Sequence, residues 1–367
     1  MQADVLVIGG GPAGIATAIA ASLQGLRVTV VDARRPPIDK PCGEGLLPDA
    51  TRALDQLGVP LRASLVFPFS GFCFSDENSS ASARIQRGDA FGVRRTIFHR
   101  LLVDRALDLG VTFLWSTRVL RLRWDSVQTS TGIIPYRWLV GADGSRSMVR
   151  RFAGLEPRRR AGFRFGFRRH YETRPWTDRV EVHWGEKCQL VVTPTGSSEV
   201  CLALFTSNSR LRLDRALLSF PAVARRVRDS RPTSAESGAV TSLRSARAVT
   251  RGRIALVGDA SCTLDGIAGQ GLTLAFQQAI HLAEALASED LAAYAAVHSR
   301  LAQRPVLTTR LLLAMNASSA LRRKVLRLFA ARPALFTRMI SLHTGESSSS
   351  TLNAAEMLAL GWRVMWA

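Results

Sequence analysis

The chain is nearly without lysine. Of its 49 basic residues 46 are arginine, and only Lys40, Lys187 and Lys324 are lysine. Cysteine is sparse as well, five residues scattered at Cys42, Cys73, Cys188, Cys201 and Cys262. No CxxC pair or Cys/His cluster occurs, which excludes a disulfide scaffold and a structural zinc site; the odd count of free thiols fits a reducing compartment. No uncharged apolar run reaches the roughly 18 residues of a membrane span. The apolar stretch from Val5 to Leu23 lacks a preceding basic segment and is broken by Gly9, Gly10, Gly11, Pro12 and Gly14. A strand, a turn and a helix of the mature protein are expected there, not a signal peptide. There is no internal repeat.

What is present is globular. The 367 residues are 47% hydrophobic and 21% charged, enough to build one large or two medium domains. The net charge of +20 invites partners that are anionic. The excess of Arg over Lys looks as much like codon bias as a selected patch, so a solvated basic surface is the plain reading. An anionic membrane or ligand surface comes second and nucleic acid last.

Along the chain, Val5–Ile8, a glycine-rich turn, an Ala-rich helix over Ile15–Leu23 and a β-rich run over Arg27–Val31 make a βαβ opening. Helical spacing follows from Val93 to Leu109, then strands at Thr112–Trp115 and Leu139–Val140. Between Val180 and Phe205 closely spaced strands separated by turns predict an antiparallel sheet. The parallel pattern returns at Ile254–Asp259, followed by a helix over Leu272–Leu286. The stretch from Leu291 to Gly345 holds nine Arg or Lys residues and no acid, and the serine run Ser347–Ser350 precedes a short apolar tail.

Three motifs carry chemistry. Gly9-x-Gly11-Pro12-Ala13-Gly14 sits between strand and helix, with Asp32, Ala33 and Arg34 at the end of the next strand. The first glycine allows the tight turn, the second lets the backbone approach a pyrophosphate, and the third lets helix and strand pack. The helix N-terminus offers free N–H groups, and Asp32 is placed to accept from a ribose hydroxyl. The second is Leu139-Val-Gly-Ala-Asp143-Gly144-Ser-Arg, and the third Gly258-Asp259-Ala260 with Gly269-Gln270-Gly271-Leu272.

In this order the three resemble the motifs of the group A flavoprotein monooxygenases, typified by para-hydroxybenzoate hydroxylase, and of the related geranylgeranyl reductases. The resemblance implies an α/β fold. A Rossmann-type FAD-binding domain would be discontinuous over 1–60, 90–160 and 250–295, with an antiparallel β-sheet substrate domain over 61–89 and 161–249 and a helical C-terminal region over 296–367. It also implies roles. Asp143 and Gly144 would touch flavin and nicotinamide, Asp259 would take the ribityl–phosphate side, and Gly269–Leu272 would face the flavin ring. Arg95, chosen over Arg94, would contact the cofactor, and Val119 would pack on the adenine. Asp39-Lys-Pro-Cys42-Gly43-Glu44-Gly45-Leu-Leu-Pro48 resembles a loop that lies against the flavin in the reductases and in some halogenases, so Cys42 and Gly43 join the candidates. His99 is expected to be a satisfied helix residue. The relatives' Asp-Pro is Asp265-Gly266 here, which leaves the shape of the active-site wall open.

The resemblance therefore predicts an FAD enzyme, with NADH or NADPH as transient reductant since no second GxGxxG is present. The leading expectation is hydroxylation, with O2, of an aromatic or hydrophobic polyketide- or lipid-like molecule. Reduction of a prenyl chain or alkene is a rival, although Gln189-Leu-Val-Val-Thr-Pro194 shares only its proline with the reductases' Tyr-x-Trp-x-Phe-Pro. Halogenation is another, without a Trp-x-Trp-x-Ile-Pro motif but with Glu44 in the halogenase-like loop. A rival of another class is a basic surface-binding protein that keeps only the fold: Leu321, Val325, Leu328 and Phe329 fall on one face of a helix and Arg322, Arg323, Lys324 and Arg327 on another, a pattern that suits peripheral contact with an anionic membrane. The expected location is cytoplasmic, with no metal, and no general base is identified.

Overall fold

Apolar runs buried on both faces make parallel strands, and alternating ones make a half-covered sheet. Both occur in the computed structural model, which describes residues 3–157 and 162–345. The Ser347–Ser350 run and the apolar tail lie outside the described residues. In the first sheet, Ala3–Ile8 lies between Val28–Val31 and Gly132–Gly141, all parallel. Thr112–Leu114 extends one side and Ile254–Leu256 the other, again in parallel. Helices Pro12–Leu23, Arg95–Asp108 and Gly271–Ala287 share one core with this sheet, through Ile15, Ile19, Phe98, Leu102 and Phe276. Each such side chain contributes about 1.5–3 kcal/mol by leaving water. The first helix begins at Pro12, earlier than the Ala-rich run suggests, because proline's missing N–H costs nothing at a helix start.

The strand order reverses on either side of Ala3–Ile8, with earlier strands on one flank and later ones on the other. A doubly wound sheet opens a crevice at such a switch point, beyond the carboxyl ends of its strands. All three motifs sit there: Gly9–Gly14 follows Ile8, Asp32 follows Val31, Asp143 follows Gly141, and Gly258 and Asp259 follow Leu256.

The second sheet has eight strands, with Arg164–Glu172, Glu199–Thr206, Cys188–Gly196 and Arg179–Trp184 antiparallel in sequence. One pair departs from the antiparallel expectation. Arg179–Trp184 runs parallel to Gly71–Ser75, because the chain enters this sheet twice and residues 71–84 belong to the earlier visit. One face is covered by the short helices Leu213–Leu217 and Pro221–Val227. The other is roofed by three C-terminal helices, Leu291–Ala317, Ser319–Ala331 and Pro333–Thr344. None of the described helices is long and apolar enough to cross a membrane.

Candidate active site

The crevice of the first sheet is continuous with the space between the second sheet and its helical roof. Together they form one cavity of about 1190 Å3. That exceeds the roughly 300–1,000 Å3 of a pocket for one small molecule, so a large cofactor and a substrate fit side by side.

Its glycines fall into two kinds. A Cβ on Gly9 would overlap the Ala142 carbonyl, and one on Gly14 would overlap the Gly9 carbonyl. Gly9 also holds φ +112, open only to glycine. These two exist for packing, and Gly14 itself is not on the cavity wall. Gly258 packs against Ala13, which brings the first and last motifs into contact. By contrast, a Cβ on Gly11, Gly43, Gly144, Gly269 or Gly271 would meet no protein atom within 4 Å, and all five line the cavity. Bare backbone facing open space on several loops at once is the cradle a dinucleotide requires.

The polar groups agree. Asp32 Oδ2 accepts from Gly10 N at 2.8 Å and Oδ1 from Arg34 N at 2.8 Å, which fixes the carboxylate and leaves a second lone pair on each oxygen. Arg95 lines the cavity, buried, and its Nε has no partner among the described residues, while Arg94 turns away to Glu199 at 2.6 Å. Asp143 Oδ2 accepts from Met148 N and Val149 N, and its buried Oδ1 has no partner among the described residues. Asp259 meets Lys40 Nζ at 2.7 Å. Pro12, Ala13, Ala33, Arg34, Cys42, Val119 and Leu272 all reach the wall. Gln270 does not. Its amide donates to the His343 carbonyl at 2.6 Å and accepts from Thr308 Oγ1 at 2.7 Å, so it braces the roof helices instead. His99 Nε2 meets the Gly10 carbonyl at 2.8 Å and supports the loop from beneath, with burial lowering its pKa.

Sequence reading missed a buried network under the Asp39–Pro48 loop. Glu44 holds φ +60, a conformation few non-glycine residues adopt. Its carboxylate explains why it stays there: Oε1 accepts from Arg95 N at 3.0 Å and from Arg168 at 3.2 Å, and Oε2 meets His170 Nε2 at 2.5 Å. Arg168 also grips Asp39 with two bonds, of 2.8 and 2.7 Å. Glu44, His170 and Cys201 could together reach a metal ion, but the Arg168 guanidinium already supplies the cation beside the first two. The network ties the loop bearing Cys42 and Gly43 to the second sheet.

The rest of the cavity is apolar. Val182 and Val191 on the sheet face Met315 and Phe329 on the roof. Leu321, Val325, Leu328 and Phe329 line this space, so the apolar face of the Ser319–Ala331 helix is spent on the cavity, while Arg323 and Arg327 are turned outward and Arg322 pairs with Asp76. At the junction, Asp265 Oδ1 accepts from Arg164 Nη1 at 2.8 Å, and Arg164 Nη2 donates to Gln189, all three side chains buried. Burial pushes the Asp265 carboxyl up, opposed by Arg164.

Behind the Gly258–Ala260 turn, Gln278 Oε1 accepts from Gly258 N at 2.7 Å, and its amide nitrogen meets His298 Nε2 at 2.9 Å. Burial holds His298 down at about 4. An unfolded chain protonates this imidazole near 6.5, so its contribution is complete above that pH and is lost as pH falls toward 4. The gap corresponds to about 3 kcal/mol. A melting temperature that falls from pH 7 to pH 4.5 is the expected result, together with a shallower profile in His298→Gln, where His343, likewise held down at about 4 by burial, still carries part of the slope; equal pH slopes for the two proteins would show that His298 does not contribute.

Residues 2–177 match a protein family described as an FAD binding domain. The menaquinone reductase of Mycobacterium tuberculosis (strain ATCC 25618 / H37Rv) is 28% identical over 319 residues, 79% of this chain and 78% of that protein. A 3-(3-hydroxy-phenyl)propionate/3-hydroxycinnamic acid hydroxylase of Mycobacterium sp. (strain JLS) is 31% identical over 170 residues, 41% of this chain and 29% of that one. Among solved structures, a flavoprotein/dehydrogenase from Cytophaga hutchinsonii shares the fold with a TM-score of 0.80 at 20% identity, covering 94% of this chain and 93% of its own. With the motifs gathered at the switch point of a doubly wound sheet, the chain carries an FAD binding domain over residues 2–177, and its fold is shared with the flavoprotein from Cytophaga hutchinsonii.

Proposed function

We propose that the enzyme is an NAD(P)H-dependent monooxygenase that hydroxylates an aromatic ring bearing a long apolar substituent. One observation carries this reading: the cavity joins a glycine-lined polar half to an apolar half enclosed by sheet and roof helices. In the polar half, the Gly9–Gly14 loop would take the pyrophosphate, Asp32 the ribose, and Ala33, Arg34 and Val119 the adenine side. Arg95, Asp259 and Lys40 would hold the phosphate–ribityl side. Cys42, Gly43, Asp143 and Gly144, with Gly269–Leu272 at the start of the Gly271–Ala287 helix, would surround the ring. When bound, FAD supplies the redox chemistry, taking hydride from NAD(P)H and activating O2. The chain's share is placement and shelter. The helix start offers about half a positive charge to an electron-rich ring, and the apolar wall keeps water from the reacting atoms.

The test is flavin reduction by NADH and NADPH with and without long-chain alkylphenols, followed by O2 uptake and product mass. An oxygenated alkylphenol supports the reading; oxidation of NAD(P)H with no oxygenated product from any of them removes it. A second reading, reduction of a lipid quinone or of an alkene in its tail, rests on the menaquinone reductase likeness, which spans about four-fifths of both chains where the hydroxylase likeness spans 41% of this one. It predicts a saturated or reduced product under anaerobic conditions. A halide-dependent product would instead identify a halogenase.

An apolar substrate fits an enzyme that works at a lipid surface. Arg310, Arg323, Arg327 and Arg332 are exposed on the roof helices, and Leu307 and Leu311 are exposed beside Arg310, with Leu311 also on the cavity wall. Each arginine near an anionic surface adds about 1 kcal/mol of attraction, screened by salt. Co-sedimentation with phosphatidylglycerol vesicles at low salt is expected, abolished at high salt and absent with phosphatidylcholine alone. No binding at low salt would rule out this contact.

A further inference from the structure

Gly266 lies on the stretch that leads into the Gly269–Leu272 turn. The fold explains why a side chain is missing there. A Cβ on Gly266 would overlap the Phe205 ring, at its Cε1 and Cζ atoms. The same Cε1 edge lies against Gly166, the partner of Phe205 in the strand ladder, where a Cβ would come within 3.3 Å. Phe205 is therefore seated in a slot cut by two glycines from different parts of the chain. Its partners on the ladder are Gly166 and the buried Gln189, and the ring belongs to the apolar cluster under the roof helices. Yet the residue lines the cavity, at the junction between the glycine-rich half and the apolar half.

We propose that Phe205, held in the slot between Gly166 and Gly266, is a specificity-determining residue that sets how much room a substrate has where the apolar channel meets the cofactor half. This rests on the reading of the apolar half as the substrate channel. The slot is what makes the ring's position sensitive. One methyl group on Gly266 has nowhere to go unless the ring swings, and because both glycines meet the ring at its Cε1 edge, the swing carries the ring away from that edge. The movement left to it is into the cavity. Removing the ring does the opposite and enlarges the junction. Two substitutions, one on the Glu199–Thr206 strand and one on the Gly266–Ala268 turn, thus act on one volume in opposite directions.

The experiment uses the flavin-loaded enzyme and two probes. Binding of cis-parinaric acid, followed by its fluorescence, reports the channel without assuming a reaction. Binding of 4-alkylphenols and of bulkier 2,4-dialkylphenols, followed by perturbation of the flavin spectrum, reports the proposed substrate class. Flavin content and the far-UV spectrum check that each variant is folded. Gly266→Ala should weaken parinarate binding at least tenfold while keeping its flavin. Phe205→Ala should restore binding in the Gly266→Ala background and, alone, should shift preference by tenfold or more toward the dialkylphenols. Phe205→Leu, which refills part of the slot, should fall between the native enzyme and Phe205→Ala. Parinarate binding that is unchanged in Gly266→Ala and Phe205→Ala, or absent from the native enzyme, overturns the inference. If the parinarate series behaves as stated while no phenol perturbs the native flavin, the aromatic substrate reading fails and the role of Phe205 stands.

Discussion

Gly11→Val should purify as a folded, colourless protein. Most glycines of a dinucleotide loop cannot be tested this way, because their substitution damages the fold before it touches the ligand. Gly14 is such a case: its missing Cβ is the space occupied by the Gly9 carbonyl, and Gly14→Val should be insoluble or badly destabilised. Gly11 is different. It is the residue before the Pro12–Leu23 helix, its φ is −77, and a side chain there meets no protein atom within 4 Å. Valine can adopt that backbone and has room for its branches until a ligand arrives. The branches then occupy the space the pyrophosphate needs to reach the helix N-terminus. A loss of at least a hundredfold in flavin affinity, about 2.7 kcal/mol, is expected. The melting temperature should match that of native apoprotein within a few degrees. Flavin titration and thermal melts of both proteins check the pair of statements. A yellow Gly11→Val protein with native affinity would show that the pyrophosphate does not pass this loop.

How much of this could be read from the chain depends on distance along it. The Gly9–Gly14 loop and Asp32 were legible because strand, turn, helix and acid are adjacent, and their spacing alone fixes the geometry. Asp143 and Asp259 were legible only through the resemblance of their motifs, since Asp-Gly and Gly-Asp are by themselves ordinary turn dipeptides. The Glu44 network was not, since Glu44 meets His170 and Arg168 across more than a hundred residues, and nothing local marks the pairing. Its one local trace is a glutamate flanked by Gly43 and Gly45, where the backbone turns left-handed. Lys40 was quoted within its loop without a role, because its partner Asp259 lies at the other end of the fold. Gln270 misled for the opposite reason. It sits inside a ligand-facing motif, but helical geometry turns its side chain toward the roof. Helix Ser319–Ala331 shows the limit of pattern: amphipathicity was plain, but whether its apolar stripe met a membrane or a cavity required knowing what lay beneath it.

The second large effect should come from the Arg164–Asp265 pair. Asp265→Ala removes the carboxylate that, among the described residues, pairs with the buried Arg164 guanidinium. An ion pair of this kind can be neutral in net worth, since both charges have left water, but removing one partner strands the other, and the cost is about 3–5 kcal/mol. Asp265 does more than balance charge. Its Oδ1 also accepts from Ile267 N at 3.2 Å, so it shapes the turn that leads to Gly269 and the Gly271–Ala287 helix. Arg164 begins a strand of the second sheet, and the pair is a direct tie between that sheet and the turn facing the cofactor half. Loss of stability and loss of flavin should therefore go together in Asp265→Ala. The double variant Arg164→Met/Asp265→Leu separates the two contributions. With no charge left buried, most of the stability should return, while flavin retention stays impaired because the Ile267 N–H has lost its acceptor. Urea midpoints and flavin content of the native, single and double variants measure this. A single variant that unfolds within about 1 kcal/mol of native would mean that Arg164 finds water or another acceptor, and that this pair does not secure the second sheet to the turn facing the cofactor half.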